Sequence, residues 1–177
     1  MFYYKSVMQI IIGYSIIIFF AISCNSNKQP PKVNVTLINY NQLDIYFQDS
    51  IKQPLMLNQS LIEKYNNWDL IGVVQSTSEI KDKEIEILPF IFESLEIELN
   101  KINPENFTYE FNIPQIIGRY KVYKTNILKI NSIELNNENI TDYKNNLKSF
   151  ILSHDALVNM INLTYYELVE NNTIIKD

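Results

Sequence analysis

His154 is the single histidine in 177 residues, and it stands between Ser153 and Asp155. Serine, histidine and aspartate are the types from which a nucleophilic triad is built, the histidine taking the serine proton while the aspartate orients the ring. Adjacent residues point in different directions on a helix and to opposite faces of a strand, so these three cannot form a triad with one another. A triad would have to be built around this one residue, and a two-histidine metal site is excluded. We read His154 as a surface or half-buried histidine. Gly13, Gly72 and Gly118 are the only glycines, too scattered to cradle a phosphate. Glu84, Glu86, Glu93, Glu96 and Glu98 read as the solvated faces and ends of strands, the alternatives being a calcium site or paired acid/base carboxylates. Phe107, Tyr109, Phe111, Tyr120, Tyr123, Tyr165 and Tyr166 read as core or rim, the alternative being an aromatic platform for glycan or peptide. The expectation is no catalytic residue, no metal ligand and no cofactor.

Cys24 is the only cysteine. Met1 to Lys5 carry the free amine and one lysine, and no charged residue follows from Ser6 to Asn27. The apolar stretch from Val7 to Phe20 ends in Ala21-Ile22-Ser23-Cys24, the layout of an export signal. A small residue directly before a cysteine at such an end resembles the lipobox read by lipoprotein signal peptidase, with Ala21 where leucine is usual. The resemblance implies that residues 1–23 are a signal peptide, that Cys24 becomes the acylated, palmitate-bearing first residue, and that the chain is lipid-anchored in the cell envelope. The bilayer is then its first partner. Each acyl chain contributes ~0.8 kcal/mol per buried methylene, and two or more give stable anchoring. An uncharged stretch of this length can also span a bilayer as an uncleaved anchor. Both readings leave the remainder on the far side of the cytoplasmic membrane.

Removing the first 23 of 177 residues leaves 154, enough for one domain burying roughly 68–70% of its unfolded surface. Lys5 is the only charged side chain lost with the signal, so 14 basic residues face 20 acidic ones, a net charge of −6. That balance argues against nucleic acid and anionic membrane surfaces as partners. With Cys24 acylated, no disulfide can brace the fold. Residues 24–32, in which the polar stretch Asn25–Pro31 ends in two prolines, read as a lipidated spacer.

From Val33 to about Lys129 apolar residues alternate with polar ones. Val33, Val35 and Leu37 share one parity, as do Leu43, Ile45 and Phe47, then Ile85 and Ile87, then Leu95, Ile97 and Leu99, then Phe107, Tyr109, Phe111 and Ile113. Period two predicts strands with one buried face, which antiparallel sheets provide. Leu61 to Tyr65 and Trp68 to Val73 flank Asn66-Asn67 and predict a type I′ hairpin pairing Tyr65 with Trp68. A helical alternative starts from the capping-box spacing of Ser60 and Glu63.

Three places carry a further resemblance: the strand pair Asn34–Asn39 and Leu43–Phe47, the hairpin Glu63–Trp68, and Ile113–Val122, where Gly118 precedes Tyr120. Together they resemble the Ig-like domains of bacterial lipoproteins of unassigned function, over roughly residues 33 to 130. The resemblance implies a mainly β fold, an antiparallel Ig-like β-sandwich over 33–136, with Tyr120 as a tyrosine corner two residues before Val122.

Residues 137–177 read as a C-terminal extension of helix, closing strands or both. Ile140, Tyr143, Leu147, Phe150, Ile151, Leu157, Val158 and Ile161 follow helical spacing after a Thr141 cap, whereas the resemblance calls for a last strand near Ser149 to Val158. Leu163–Leu168 and Thr173–Ile175 read as a closing hairpin. The functional expectation is a membrane-anchored, non-enzymatic lipoprotein of binding or structural type with a protein or glycan partner. The alternatives are an immunity or inhibitor lipoprotein that neutralises one toxin, and an envelope enzyme.

Overall fold

The computed structural model describes residues 40–174; the signal, Cys24, the spacer and the first expected strand at Val33–Leu37 lie outside the described residues. Among those described, six α-helices follow in order: α1 Tyr40–Ser50, α2 Gln59–Lys64, α3 Asp69–Ser78, α4 Leu88–Lys101, α5 Pro114–Asn131 and α6 Ile140–Ile174. Short 3-10 turns at Ile80–Asp82 and Ile85–Ile87 join α3 to α4, and turns at Pro104–Asn106 and Tyr109–Phe111 join α4 to α5. No strand occurs among the described residues. The antiparallel Ig-like β-sandwich expected over 33–136 is therefore corrected to an all-helical fold.

The correction has one physical source, a spacing that suits both periodicities. Leu43 and Phe47 in α1, and Leu95 and Leu99 in α4, are each four residues apart, which places a pair on one face of a helix and equally on one face of a strand; Phe107 and Phe111 have the same spacing but lie in the turns between α4 and α5. The residue midway decides. Ile45 is 61% exposed, Ile97 54% and Tyr109 94%, while each outer pair is buried. Along α4 the buried residues are Leu88, Phe92, Leu95 and Leu99, a helical stripe that runs past Ile97. In the Ile85–Ile87 turn, Ile85 is buried and Ile87 faces out.

Start signals agree with the helices. Pro89 and Pro114 sit in the first turns of α4 and α5, and Pro104 opens a 3-10 turn; there the missing N–H removes no bond and the fixed φ suits the helix. Asn58 caps α2, its side-chain oxygen accepting from the Ser60 and Leu61 N–H groups at 2.9 and 3.3 Å. The Asn66-Asn67 turn forms, but between α2 and α3. Tyr65 and Trp68 therefore do not pair across a hairpin; both pack on Phe111, Tyr65 edge-on and Trp68 stacked, each with ring centroids 5.0 Å away.

Tyr120 is no tyrosine corner. It lies in α5, and its hydroxyl donates to the Leu99 and Ile102 carbonyls at 3.0 and 3.3 Å, while the Lys124 ammonium donates to Leu99 O at 3.0 Å. Carbonyls left open at the end of α4 thereby gain donors from a neighbouring helix.

The amphipathic stripe expected from Ile140 to Ile161 is realised in α6, whose Tyr143, Leu147, Phe150, Ile151, Leu157, Val158 and Ile161 are buried. The Tyr143 N–H bonds to Asn139 O at 3.0 Å, so the chain enters the helix at Asn139 and Thr141 falls inside the first turn. Because α6 continues to Ile174, the last sandwich strand near Ser149–Val158 does not occur, and neither does the closing hairpin from Leu163. One hydrophobic cluster draws on all six helices, so residues 137–174 share the core of the preceding ones. None of the described helices is long and apolar enough to cross a membrane.

Candidate functional site

His154 is fully buried, not at or near the surface as expected. Its Nδ1 lies 3.1 Å from Asp155 Oδ1, and its Nε2 lies 3.2 Å from Val74 O and 3.5 Å from Ser78 Oγ. Carboxylate, imidazole and serine thus stand in the order of a triad, through Ser78 of α3, a residue without any sequence signal. Ser78 Oγ, however, is directed at the Leu55 and Val74 carbonyls at 2.8 and 3.0 Å. Ser78 is buried like His154, and neither lines the two clefts described below. Ser153 turns away, its hydroxyl donating to Phe150 O at 2.7 Å.

What this cluster does is hold the irregular segment 51–58 against α3 and α6. Gln53 Nε2 donates to Ser78 O at 2.9 Å, and the Leu55 N–H donates to Asp155 Oδ1 at 2.8 Å. Two turns further along α6, Asn162 takes the Asn58 N–H on its Oδ1 and donates from Nδ2 to Met56 O. Ile51, Pro54 and Leu57 are buried beneath these bonds. Beside the histidine, the Tyr123 and Thr77 hydroxyls share a 2.6 Å hydrogen bond, and burial pushes the Tyr123 hydroxyl above the ordinary tyrosine value.

The aromatics singled out in sequence divide sharply. Phe107, Phe111, Tyr120, Tyr123 and Tyr165 are buried, while Tyr109 and Tyr166 are exposed, so they form no common platform.

The carboxylates define a more distinctive surface. Among the described residues no group of three or more His, Cys, Asp or Glu side chains could hold a metal ion. Instead Glu93, Glu96 and Glu98 ride on α4. At 3.6 residues per turn, the face opposite the buried stripe carries Phe90 and Ile97 in line, seven residues and about 10 Å apart. Phe90 is 71% exposed. Glu93 and Glu96 fall on one side of this ridge and Glu98 on the other.

Each side opens into a cleft. The first, of about 350 Å³, lies between Glu93 and Glu96 of α4, Asn131 at the end of α5, Ile133 and Leu135 of the following loop, and Tyr143 of α6. The second, of about 420 Å³, lies between Glu98 and Lys101 on α4 and Trp68, Asp69 and Gly72 at the start of α3.

No family model, curated protein or solved structure matches this chain. The functional reading rests on its own residues.

The α4 face joins two features that aqueous surfaces do not require, an exposed aromatic and aliphatic ridge and a carboxylate border. Aromatic anchors of this kind are enriched where proteins meet. Sequence reasoning found the carboxylates but passed over Phe90, Ile97 as a surface residue, and Asn131. A helical wheel drawn from Pro89 would have placed Phe90 and Ile97 opposite Leu88, Phe92, Leu95 and Leu99.

Proposed function

We propose that this chain is an exported, lipid-anchored lipoprotein of non-enzymatic binding type, tethered to the cell envelope through acylated Cys24 and presenting the outer face of α4 to a protein partner. The observation that carries the binding half is the exposure of Phe90 and Ile97 on one line of α4 between flanking carboxylates. The anchoring half rests on the uncharged stretch from Ser6 to Asn27 and the single cysteine at its end.

Two experiments test the two halves. Metabolic labelling with a fatty acid is expected to mark the wild type and not Cys24→Ala; equal labelling of both removes the anchor. Crosslinked capture from solubilised envelope is expected to yield a defined partner with the wild type, and to lose it with Phe90→Asp or Ile97→Asp but not with Leu152→Asp, an exposed α6 residue. Loss with all three, or with none, removes the α4 face.

A second reading is favoured by the acidic border. An inhibitor or immunity lipoprotein that blocks one basic toxin would use the same ridge for contact and the same carboxylates for steering.

A further inference from the structure

We infer that His154 is a proton-operated latch on the segment 51–58: with hydrogens on both ring nitrogens it leaves the Ser78 hydroxyl to Leu55, and on losing one it draws that hydroxyl away.

The buried ring has more acceptors around it than a neutral imidazole can serve. His154 is fully buried, and each ring nitrogen faces an acceptor: Nδ1 lies 3.1 Å from Asp155 Oδ1 and Nε2 lies 3.2 Å from Val74 O. A neutral imidazole carries one N–H and one lone pair, whereas the imidazolium donates from both nitrogens. Either neutral tautomer therefore sets a lone pair against a carboxylate or a carbonyl oxygen. The charged ring satisfies both contacts, and the Asp155 carboxylate beside it balances the charge.

Ser78 ties this count to the segment. Its hydroxyl has a single hydrogen and three acceptors in reach, Leu55 O at 2.8 Å, Val74 O at 3.0 Å and His154 Nε2 at 3.5 Å. With the ring charged, Nε2 donates to Val74 O and the hydroxyl is committed to Leu55 O, the nearest of the three. Once Nε2 has lost its proton it needs a donor, and the hydroxyl that turns to it leaves Leu55 O. Asp155 accepts the Leu55 N–H at 2.8 Å, so both side chains that hold Leu55 are also partners of the histidine. The Asp155 side chain is 26% exposed, which gives the buried ring a route for exchanging its proton with solvent.

Of the described groups that face the ring from other elements, α3 presents Val74 O and Ser78, neither of which titrates. Tyr123 of α5, with ring centroids 5.9 Å apart, has its hydroxyl bonded to Thr77 and pushed up by burial. Lys52, the charged side chain of the segment, is exposed. The sign is opposite to that of a histidine buried for its bulk alone, where burial favours the neutral ring. Here the hold on 51–58 is complete at acid pH and declines as pH rises through the range in which imidazole loses its proton, about pH 5 to 8.

The test uses the full-length chain in detergent micelles with isotopically labelled histidine. Because the chain has one histidine, its two ring-nitrogen signals are unambiguous. The expected result is two ring protons near pH 5 and one near pH 8, with the hydrogen-exchange protection of the Leu55 amide falling at least threefold over the same interval. Protection at Asn58, which Asn162 holds, is expected to change less. Ser78→Ala is expected to keep the ring titration and lose the fall at Leu55, with its helical signal checked by circular dichroism. One ring proton throughout, or two throughout, overturns the latch. So does protection at Leu55 that stays constant, rises with pH, or falls equally in S78A. Where S78A does not fold, the wild-type ring signals and the Leu55 and Asn58 amides decide alone.

Discussion

Asn162 grips the chain at Asn58 from 104 residues away: its Oδ1 accepts the Asn58 N–H at 2.9 Å while its Nδ2 donates to Met56 O at 3.0 Å. One carboxamide thereby satisfies two backbone groups of a segment that makes no secondary structure of its own. Asn58 in turn caps α2, so the bond sets where that helix starts.

Asn162→Ala is therefore expected to destabilise the protein by about 1–3 kcal/mol, since two backbone groups lose their partners. Urea unfolding followed by circular dichroism measures it, with hydrogen exchange at the Asn58 amide as the local readout. A midpoint equal to wild type with unchanged exchange would contradict the role.

His154 and Ser153 offer a contrast between neighbours. His154 is fully buried and bonded to α3, whereas Ser153 bonds only within its own helix. We expect His154→Ala to cost about 3 kcal/mol, from a cavity beside Tyr123 together with the lost bonds, and Ser153→Ala to cost less than about 1 kcal/mol. Comparable losses for the two variants would mean that the histidine does not tie α6 to α3.

The helical assignment of α4 is tested by Leu95 and Ile97, which a strand would place on one face. Leu95→Ala is expected to cost about 2–5 kcal/mol and Ile97→Ala to stay within about 0.5 kcal/mol. Denaturant midpoints for the pair decide, and a large effect at Ile97 would speak for the strand.

Alkaline pH is expected to weaken the fold. Burial raises the hydroxyls of Tyr123, Tyr143 and Tyr120 above the ordinary value of about 10. The unfolded chain then releases these protons first, so stability present below pH ~10 declines as pH rises above it toward the folded values. Urea midpoints between pH 8 and 11 should fall for the wild type and fall less for Tyr123→Phe and Tyr143→Phe. The same slope in all three would refute the burial effect.

Much of this fold was legible at α6, where the stripe from Tyr143 to Ile161 is long enough for only one period to fit it. It was misread at Leu43-Ile45-Phe47 and Leu95-Ile97-Leu99, because three apolar residues at i, i+2 and i+4 satisfy a strand completely and a helix in their outer pair; Phe107-Tyr109-Phe111 has the same spacing but lies in the 3-10 turns between α4 and α5. Pro89 and Pro114, each opening a helix, and Asn58 as a cap were local signals that pointed the right way. The acidic residues of the candidate site were visible in sequence, whereas their grouping around Phe90 and Ile97 was not, since it depends on α4 being a helix.

By itself the sequence determined the charge balance, the lone cysteine after an uncharged stretch, the absence of a second histidine, and the amphipathic character of α6, all properties of composition and local spacing. Tertiary structure decided which residue of each apolar triplet faces water, that His154 meets Ser78 and Asp155 in the interior, and that Glu93, Glu96, Asn131 and Tyr143 line one cleft. Burial and distance are set by the packing of segments far apart in the chain; local spacing ranks the faces of a helix once the helix is known, but does not say what meets them.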